Sequence, residues 1–392
     1  MADGGERLTV RVVERLKDVA AEAWDACAGR DNPFLAYAFL EVLEASGSAT
    51  AETGWLPQHL LLEDGTGRVL GAVPMYLKSH SYGEYVFDHG WASALERAGG
   101  RYYPKLLSAV PFTPVTGPRI LVHPAAGPDA ADLLVAAMVE VARRHKVSSL
   151  HVNFPTEAEW GRLGRAGFLQ RVARQFHWEN DGYHTFEDFL AALNARKRKQ
   201  IRRERRDALA GGLEIETLTG SDIETRHWDA FFGFYISTSD RKWGSAYLTR
   251  EFFDLLGARM ADRVVLVMAR EGKRYVAGAL NLLGTDTLYG RNWGCRGDFP
   301  FLHFEACYYR AIDFAIARGL KRVEAGAQGQ HKIQRGYLPS HTYSAHWIRD
   351  RGFARAVEDF LARERRAVEH EMETLEDALS PFRHEPDEHA DV

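Results

Sequence analysis

At 392 residues, with 45% hydrophobic and 27% charged residues, the chain has a globular composition and the length for two domains with their own cores. Its formal net charge of −4 gives no global attraction to nucleic acid or anionic membrane. Cys27, Cys295 and Cys307 show neither a disulfide framework nor zinc-site spacing. MADGGERLTVRVVERL lacks the apolar stretch of a secretory signal, and no apolar run approaches ~18 residues, so a reduced, cytoplasmic protein without stable membrane insertion is expected.

Residues 8–13 (LTVRVV) predict a short strand, and helical signals follow over 19–26 and 35–45. Two β-rich runs, 55–62 and 68–78, flank Asp64-Gly65-Thr66-Gly67, the residues of a hairpin turn. Pro74 in the second run predicts an edge position or a bulge. Residues 80–93 are aromatic and glycine-rich, and 110–119, with three prolines, predict a loop. The segment 128–146 predicts a helix: Pro128 suits its first turn, LLVAAMVEVA its apolar face, and Arg143-Arg144-His145-Lys146 the negative end of its dipole. A strand over 148–154, a helix over 157–166 ended by Gly167, and a strand over 175–178 complete the first half.

TFEDFLAALNARKRKQIRRERRDALA (185–210) predicts one long helix with Thr185 as N-cap. Between Arg196 and Arg206 it carries eight Arg/Lys against one Glu. Such a run is either a solvated helix face or a cationic surface for a polyanion, through Arg202, Arg203, Arg205 and Arg206. The second half then repeats the outline of the first. A strand over 213–218, helices over 227–237 and 250–258, and strands over 264–269, 274–283 and 287–292 come first. A helix over 303–318 closed by Gly319, strands over 321–324 and 342–347, and a charged helix from 353 to about 379 follow. This weak symmetry favours two similar α/β domains, 1–180 and 181–380, the second carrying the basic helix 186–210, with 381–392 a flexible tail.

The candidate chemistry lies mainly in residues 290–337. Glu324 ends a short strand, where α/β sheets bind ligands, and suits a general base or an amine holder; an ion pair with Lys332 or Arg335 is the structural alternative. Gly326, Gln328, Gly329, Gln330, His331, Lys332, Arg335 and Tyr337 form a polar loop, with Gln328 and His331 as catalytic candidates beside Glu324 and the others suited to an anion or to a plain surface turn. The loop has neither the P-loop nor the dinucleotide-binding spacing. Arg291 and Trp293 suit a carboxylate or phosphate and a flat ligand, or, for the Trp, core packing. Asp240 and Lys242 lie in a polar, aromatic connection, and Asp88-His89-Gly90-Trp91 forms a similar turn in the first half. No metal site and no permanently bound cofactor are expected.

The runs YISTSDRKW (235–243), 278–294 ending in GRNWG, EAGAQGQHKIQRGY (324–337) and HTYSAHW (341–347) resemble the FemAB-like (DUF482) family of predicted N-acyltransferases, over about residues 8–380. The resemblance implies tandem GNAT-like α/β domains with mixed sheets flanked by helices. It also implies transfer of an acyl or aminoacyl group to an amine of a cell-wall peptide or small metabolite, with acyl-CoA or aminoacyl-tRNA as co-substrate and tRNA as a possible partner. The Q/R-x-x-G-x-G/A donor loop of GNAT domains has no clean copy here; CRGDFPFLHF stands in its place. Set beside the similar Fem ligases, the chain has only the basic helix 186–210 at the domain junction, which implies that their coiled-coil arm is missing or reduced. The competing readings are a non-catalytic ligand-binding protein of the same fold and an RNA-binding module built on the basic helix.

Overall fold

The computed structural model describes residues 8–242, 246–326 and 329–383. The chain forms two compact units that interleave along the sequence. Unit 1 comprises Met1–Ala173, Ser245–Ala261 and His341–Glu369; unit 2 comprises Arg174–Gly244, Asp262–Ser340 and His370–Val392. Ser245–Ala261 and His341–Glu369, which lie in the second half of the sequence, thus belong to unit 1.

Among the described residues the strands are β1 (Thr9–Val13), β2 (Trp55–Pro57), β3 (His59–Glu63), β4 (Val69–Val73), β5 (Met75–Lys78), β6 (Lys105–Ser108), β7 (Leu121–Val122), β8 (Ser149–Asn153) and β9 (Leu169–Glu179). They continue with β10 (Leu213–Thr219), β11 (Val264–Glu271), β12 (Arg274–Leu283), β13 (Thr287–Cys295), β14 (Arg322–Glu324) and β15 (Leu338–Ile348).

Unit 1 has a four-stranded sheet, β1-β3-β4-β7, and a mixed sheet in the order β15-β8-β6-β5-β2. The predicted hairpin is β3–β4, its turn held by the Asp64 carboxylate, which accepts from the Thr66 N–H at 2.8 Å. Pro74 is neither an edge residue nor a bulge. It stands between β4 and β5, strands of different sheets, where its missing N–H ends one ladder and lets the chain enter the other. The helix Ala130–Arg144 carries the chain from β6 to the parallel β8 and lays Leu134 and Met138 against Leu60, Leu106 and Leu150.

Unit 2 orders its strands β10-β11-β12-β13-β14-β9. β13 and β14 are parallel, joined by the predicted helix, and Gly319 closes it at φ 62°. That helix is not uniform: Glu305–Tyr309 form a π-helical turn between α-helical Leu302–Phe304 and Arg310–Ala317. Such turns recur at functional sites. The apolar face of the sheet buries Trp178, Leu288 and Val323 with Ile312 and Tyr337. The internal symmetry thus takes a concrete form. β6–helix–β8 and β13–helix–β14 are both parallel crossovers, and each is completed by an antiparallel strand from the other half of the sequence, β15 on β8 and β9 on β14.

Three local expectations need correction. The predicted helix 185–210 is two helices, Phe186–Ala192 and Ala195–Ala208. Thr185 caps the first as expected, but Asn194 turns its side chain onto the Lys197 N–H at 3.0 Å and starts a second. Asp240 and Lys242 belong to the helix Thr225–Lys242 rather than to a loop; their side chains, with Trp243 and Gly244, lie outside the described residues. Gln330–Arg335, read as an open loop, is a 3-10 helix.

Candidate active site

In unit 2, β13 and β14 pair over a short register, Thr287–Tyr289 with Arg322–Glu324. On the other side of β13 the register to β12 slips: Leu280 opposes Asn292 and Asn281 opposes Gly290, leaving Arg291 as the extra residue of a bulge. A cavity of about 80 Å³ lies beside this bulge, lined by Asn281, Arg291, Trp293, His303, Cys307 and Tyr308, with Ala325 just past β14. It is smaller than the ~300–1,000 Å³ of a pocket that swallows a whole ligand, so it admits only the reacting end of one.

Glu324 ends β14, next to Tyr289 on one side and His177 on the other. Its neighbour Val323 enters the apolar core, so strand alternation puts Glu324 on the opposite face. Glu324 is 4% exposed, and its Oε2 has no hydrogen-bond donor. The nearest imidazole, His177 Nε2, stands 3.9 Å away, and His177 Nδ1 is likewise unpartnered. Burial pushes the Glu324 carboxyl up to about 8, against the opposing pull of Arg322 and Arg291. Burial also pushes His177 down to about 3. At neutral pH the two groups therefore meet mostly uncharged, and a carboxyl poised near the working pH is what proton transfer from an amine requires.

Neither structural partner expected for Glu324 is there. Lys332 is buried, donates to the Gly326 carbonyl at 2.8 Å, and is pushed down to about 8 by burial. Arg335 donates to Glu204 at 2.9 Å and to the His331 carbonyl at 2.7 Å, with its guanidinium 3.5 Å over the Phe304 ring. Arg335 is thus a structural cation, committed to Glu204 and not to a substrate as expected. Tyr337, also expected at the substrate, is instead fully buried in the core and donates to the Tyr308 carbonyl at 3.2 Å. His331 is exposed, with Nε2 2.9 Å from the hydroxyl of Tyr308, through which it reaches the cavity lining. Arg291 and Trp293 line the cavity directly, Trp293 edge-on to His303 at 5.4 Å. Gln328 lies outside the described residues.

The other candidates sit elsewhere. Asp88, His89 and Trp91 belong to unit 1, where Asp88 precedes the helix His89–Arg97. Asp88 is buried on Lys105 and Tyr102, Trp91 is buried with its ring 4.8 Å from His346, and His89 is exposed. On the basic helix Ala195–Ala208, Arg205 does not face out: it binds Glu305 at 3.1 Å and Asp313 at 2.5 Å, because it shares the inward face with Ile201, Glu204 and Ala208. Arg202 pairs with Glu187 at 2.5 Å and Arg206 with Asp207 at 2.8 Å, while Arg203 is exposed.

His177, Asn281 and Tyr308 were not singled out by the sequence. For His177 the signal was present: in QFHWE, Gln175, His177 and Glu179 alternate with Phe176 and Trp178, so three polar side chains share one strand face. Asn281 is the polar residue of the buried run VAGALNL. Among the described residues no group of three or more His, Cys, Asp or Glu could hold a metal ion, and no helix is long and apolar enough to cross a membrane.

The solved structures that resemble the chain include the following three. FemX covers 89% of it and is matched over 100% of its own length, at 11% identity and a TM-score of 0.52. The C-terminal domain (DUF2156) assigned to a lysylphosphatidylglycerol synthetase of Agrobacterium fabrum covers 88% and is matched over 95%, at 10% identity and a TM-score of 0.52. L-PGS of Bacillus licheniformis covers 85% and is matched over 98%, at 8% identity and a TM-score of 0.51. At these identities the likeness is one of fold alone, that of α/β units with mixed sheets flanked by helices. No curated protein matches the chain in sequence. The family model FemAB-like, described as peptidoglycan biosynthesis/recognition, matches residues 15–384, and the chain belongs to that family.

Proposed function

We propose that the protein is an N-acyltransferase that moves an acyl or aminoacyl group onto an amine of a peptidoglycan-related peptide or a small metabolite. The observation that carries this reading is Glu324: a buried carboxyl at a strand end, with an unpartnered oxygen and a titration near 8, beside a bulged strand and a small cavity. In the proposed step the acceptor ammonium gives a proton to the Glu324 carboxylate. The freed nitrogen attacks the donor carbonyl, a C–N bond forms, and the carbonyl oxygen takes the negative charge. Collapse breaks the donor's ester or thioester bond, and the leaving oxygen or sulfur takes up the second proton given up by the nitrogen. Lys332, buried and held by Gly326, is our choice to face the developing negative charge, and Arg291 with Trp293 to position the acceptor. Transfer is direct in this scheme, with no covalent enzyme intermediate. Membership in a peptidoglycan biosynthesis/recognition family supports the acceptor class.

The donor is acyl-CoA or aminoacyl-tRNA. The outward face of the basic helix, with Arg196, Lys199, Arg203 and Arg206 exposed, favours a polyanionic one. The test is incubation with each donor and with peptide and small-molecule amines, the product being read by mass spectrometry. Transfer by the wild type and its loss in Glu324→Gln is the expected pair of results. Undiminished transfer by Glu324→Gln removes Glu324 from the mechanism.

A further inference from the structure

One face of the unit 1 mixed sheet is polar and nevertheless buried. Lys78 on β5, Lys105 on β6, His151 and Asn153 on β8 and His346 on β15 are each at most 2% exposed. They alternate with Leu106, Leu150, Val152 and Ala345, which enter the apolar core on the other face. The register sets Lys78 beside Lys105 and His346 beside His151. The loop 79–88 adds Ser81, Glu84 and Asp88 to the same cluster.

The donors of the cluster are largely committed. Lys105 Nζ binds Ser81 Oγ at 2.7 Å, Glu84 Oε2 at 2.7 Å, and Asp88 Oδ2. Tyr102 donates to Asp88 Oδ2 at 2.7 Å. The two imidazoles meet Nδ1 to Nδ1 at 2.6 Å, and their Nε2 atoms meet Ser149 at 2.8 Å and Ser344 at 3.0 Å. The acceptors are not matched: Glu84 Oε1, Asp88 Oδ1 and Asn153 Oδ1 have no donor, on residues 4%, 2% and 1% exposed. Lys78 Nζ stands 4.0 Å from Glu84 Oε1 and spends its contact on the Tyr82 carbonyl at 3.4 Å. Buried acceptors of which two are carboxylate oxygens call for N–H donors that bring positive charge. The surroundings already suit ammonium groups, since Lys78 Nζ lies 3.5 Å over the Trp55 ring and Lys105 Nζ 5.6 Å from that of Tyr102. The loop that carries Glu84 and Asp88 exposes Tyr82 and Phe87 at 61% and 57% and holds Tyr85 at φ 59°, a left-handed state that a non-glycine residue adopts only under constraint.

We propose that this cluster is a ligand site for a primary ammonium group, held by Glu84, Asp88 and Asn153 beneath the loop 79–88. It stands independently of the reaction assigned to Glu324. The full-length protein is titrated with methylammonium chloride and followed by thermal unfolding and calorimetry. Sodium chloride and tetramethylammonium chloride at equal ionic strength are the controls. A saturable rise in Tm and a saturable heat are expected with methylammonium alone, because tetramethylammonium has the charge without the N–H donors. Glu84→Gln and Asn153→Leu should each weaken the response by about tenfold. Asn153→Leu sacrifices only a 3.5 Å hydrogen bond to the Glu84 carbonyl, so it keeps the test open should Glu84→Gln misfold. An equal response to tetramethylammonium, no saturable response, or undiminished binding by Asn153→Leu overturns the proposal and leaves the cluster a structural network.

Discussion

Replacing Glu324 with glutamine should stabilise the protein in alkali and leave it unchanged in acid. An ordinary glutamate titrates at 4.5, whereas burial sets this one at about 8 in the folded chain. The folded state therefore holds the proton more tightly than the unfolded chain. Its contribution to stability is fully present below 4.5 and is lost as pH rises through about 8. At ~1.4 kcal/mol per pH unit, the gap from 4.5 to about 8 gives a loss of about 3 kcal/mol at neutral pH and about 5 kcal/mol at about pH 9. Glutamine does not titrate and escapes that loss. Urea unfolding of both proteins at about pH 4, 7 and 9 should show curves that coincide in acid and separate in favour of the variant as pH rises. If the difference between the two is the same at all three values, or if the variant is the weaker at high pH, the carboxyl is not buried and poised as described.

Further outcomes follow from other contacts. Glu204→Ala leaves the buried Arg335 guanidinium without its carboxylate and Tyr309 without its acceptor, and should cost about 3–5 kcal/mol in denaturant unfolding. Asn194→Ala removes the cap of the basic helix and should cost about 1 kcal/mol, with a matching loss of amide protection in its first turn. Substituting Gln at Arg196, Lys199, Arg203 and Arg206, all exposed, should lower the slope of log affinity for tRNA against log salt by up to about 3 and leave Tm in place. An unchanged slope would remove this face from donor binding.

The elements with clear periodicity were legible: the helix over 128–146, the hairpin at Asp64–Gly67 and the strands around 264–292 all stand where the pattern put them. The place of Glu324 at the end of a short strand was legible, because the β run of LKRVE stops where AGAQG begins. His177 was not, because its place beside Glu324 is set by the pairing of β9 with β14, strands far apart in sequence. Arg335 and Tyr337 misled for a related reason. Arg335 ends a polar run, yet the 3-10 turn carries its side chain inward onto Glu204, and Tyr337, past Gly336, enters the core. In the basic run the charge concealed a cap: Asn194 reads as one more polar residue until its side chain is seen to close a new helix. The polar face of unit 1 escaped notice because Lys78, Lys105, His151 and His346 lie on four separate strands, and only the sheet register brings them together.

The central claim is that Glu324 takes the proton from the acceptor amine, and the most direct measurement is the pH dependence of kcat/KM for acyl transfer in the wild type and in Glu324→Gln. An acceptor whose own ammonium titrates well away from the limb keeps the two ionisations apart. The wild type should show a rate that rises with pH to a plateau, with an apparent pKa near 8. In Glu324→Gln that limb should vanish and the plateau should fall by about 10²–10⁴-fold. The same limb and a comparable plateau in the variant would contradict the account.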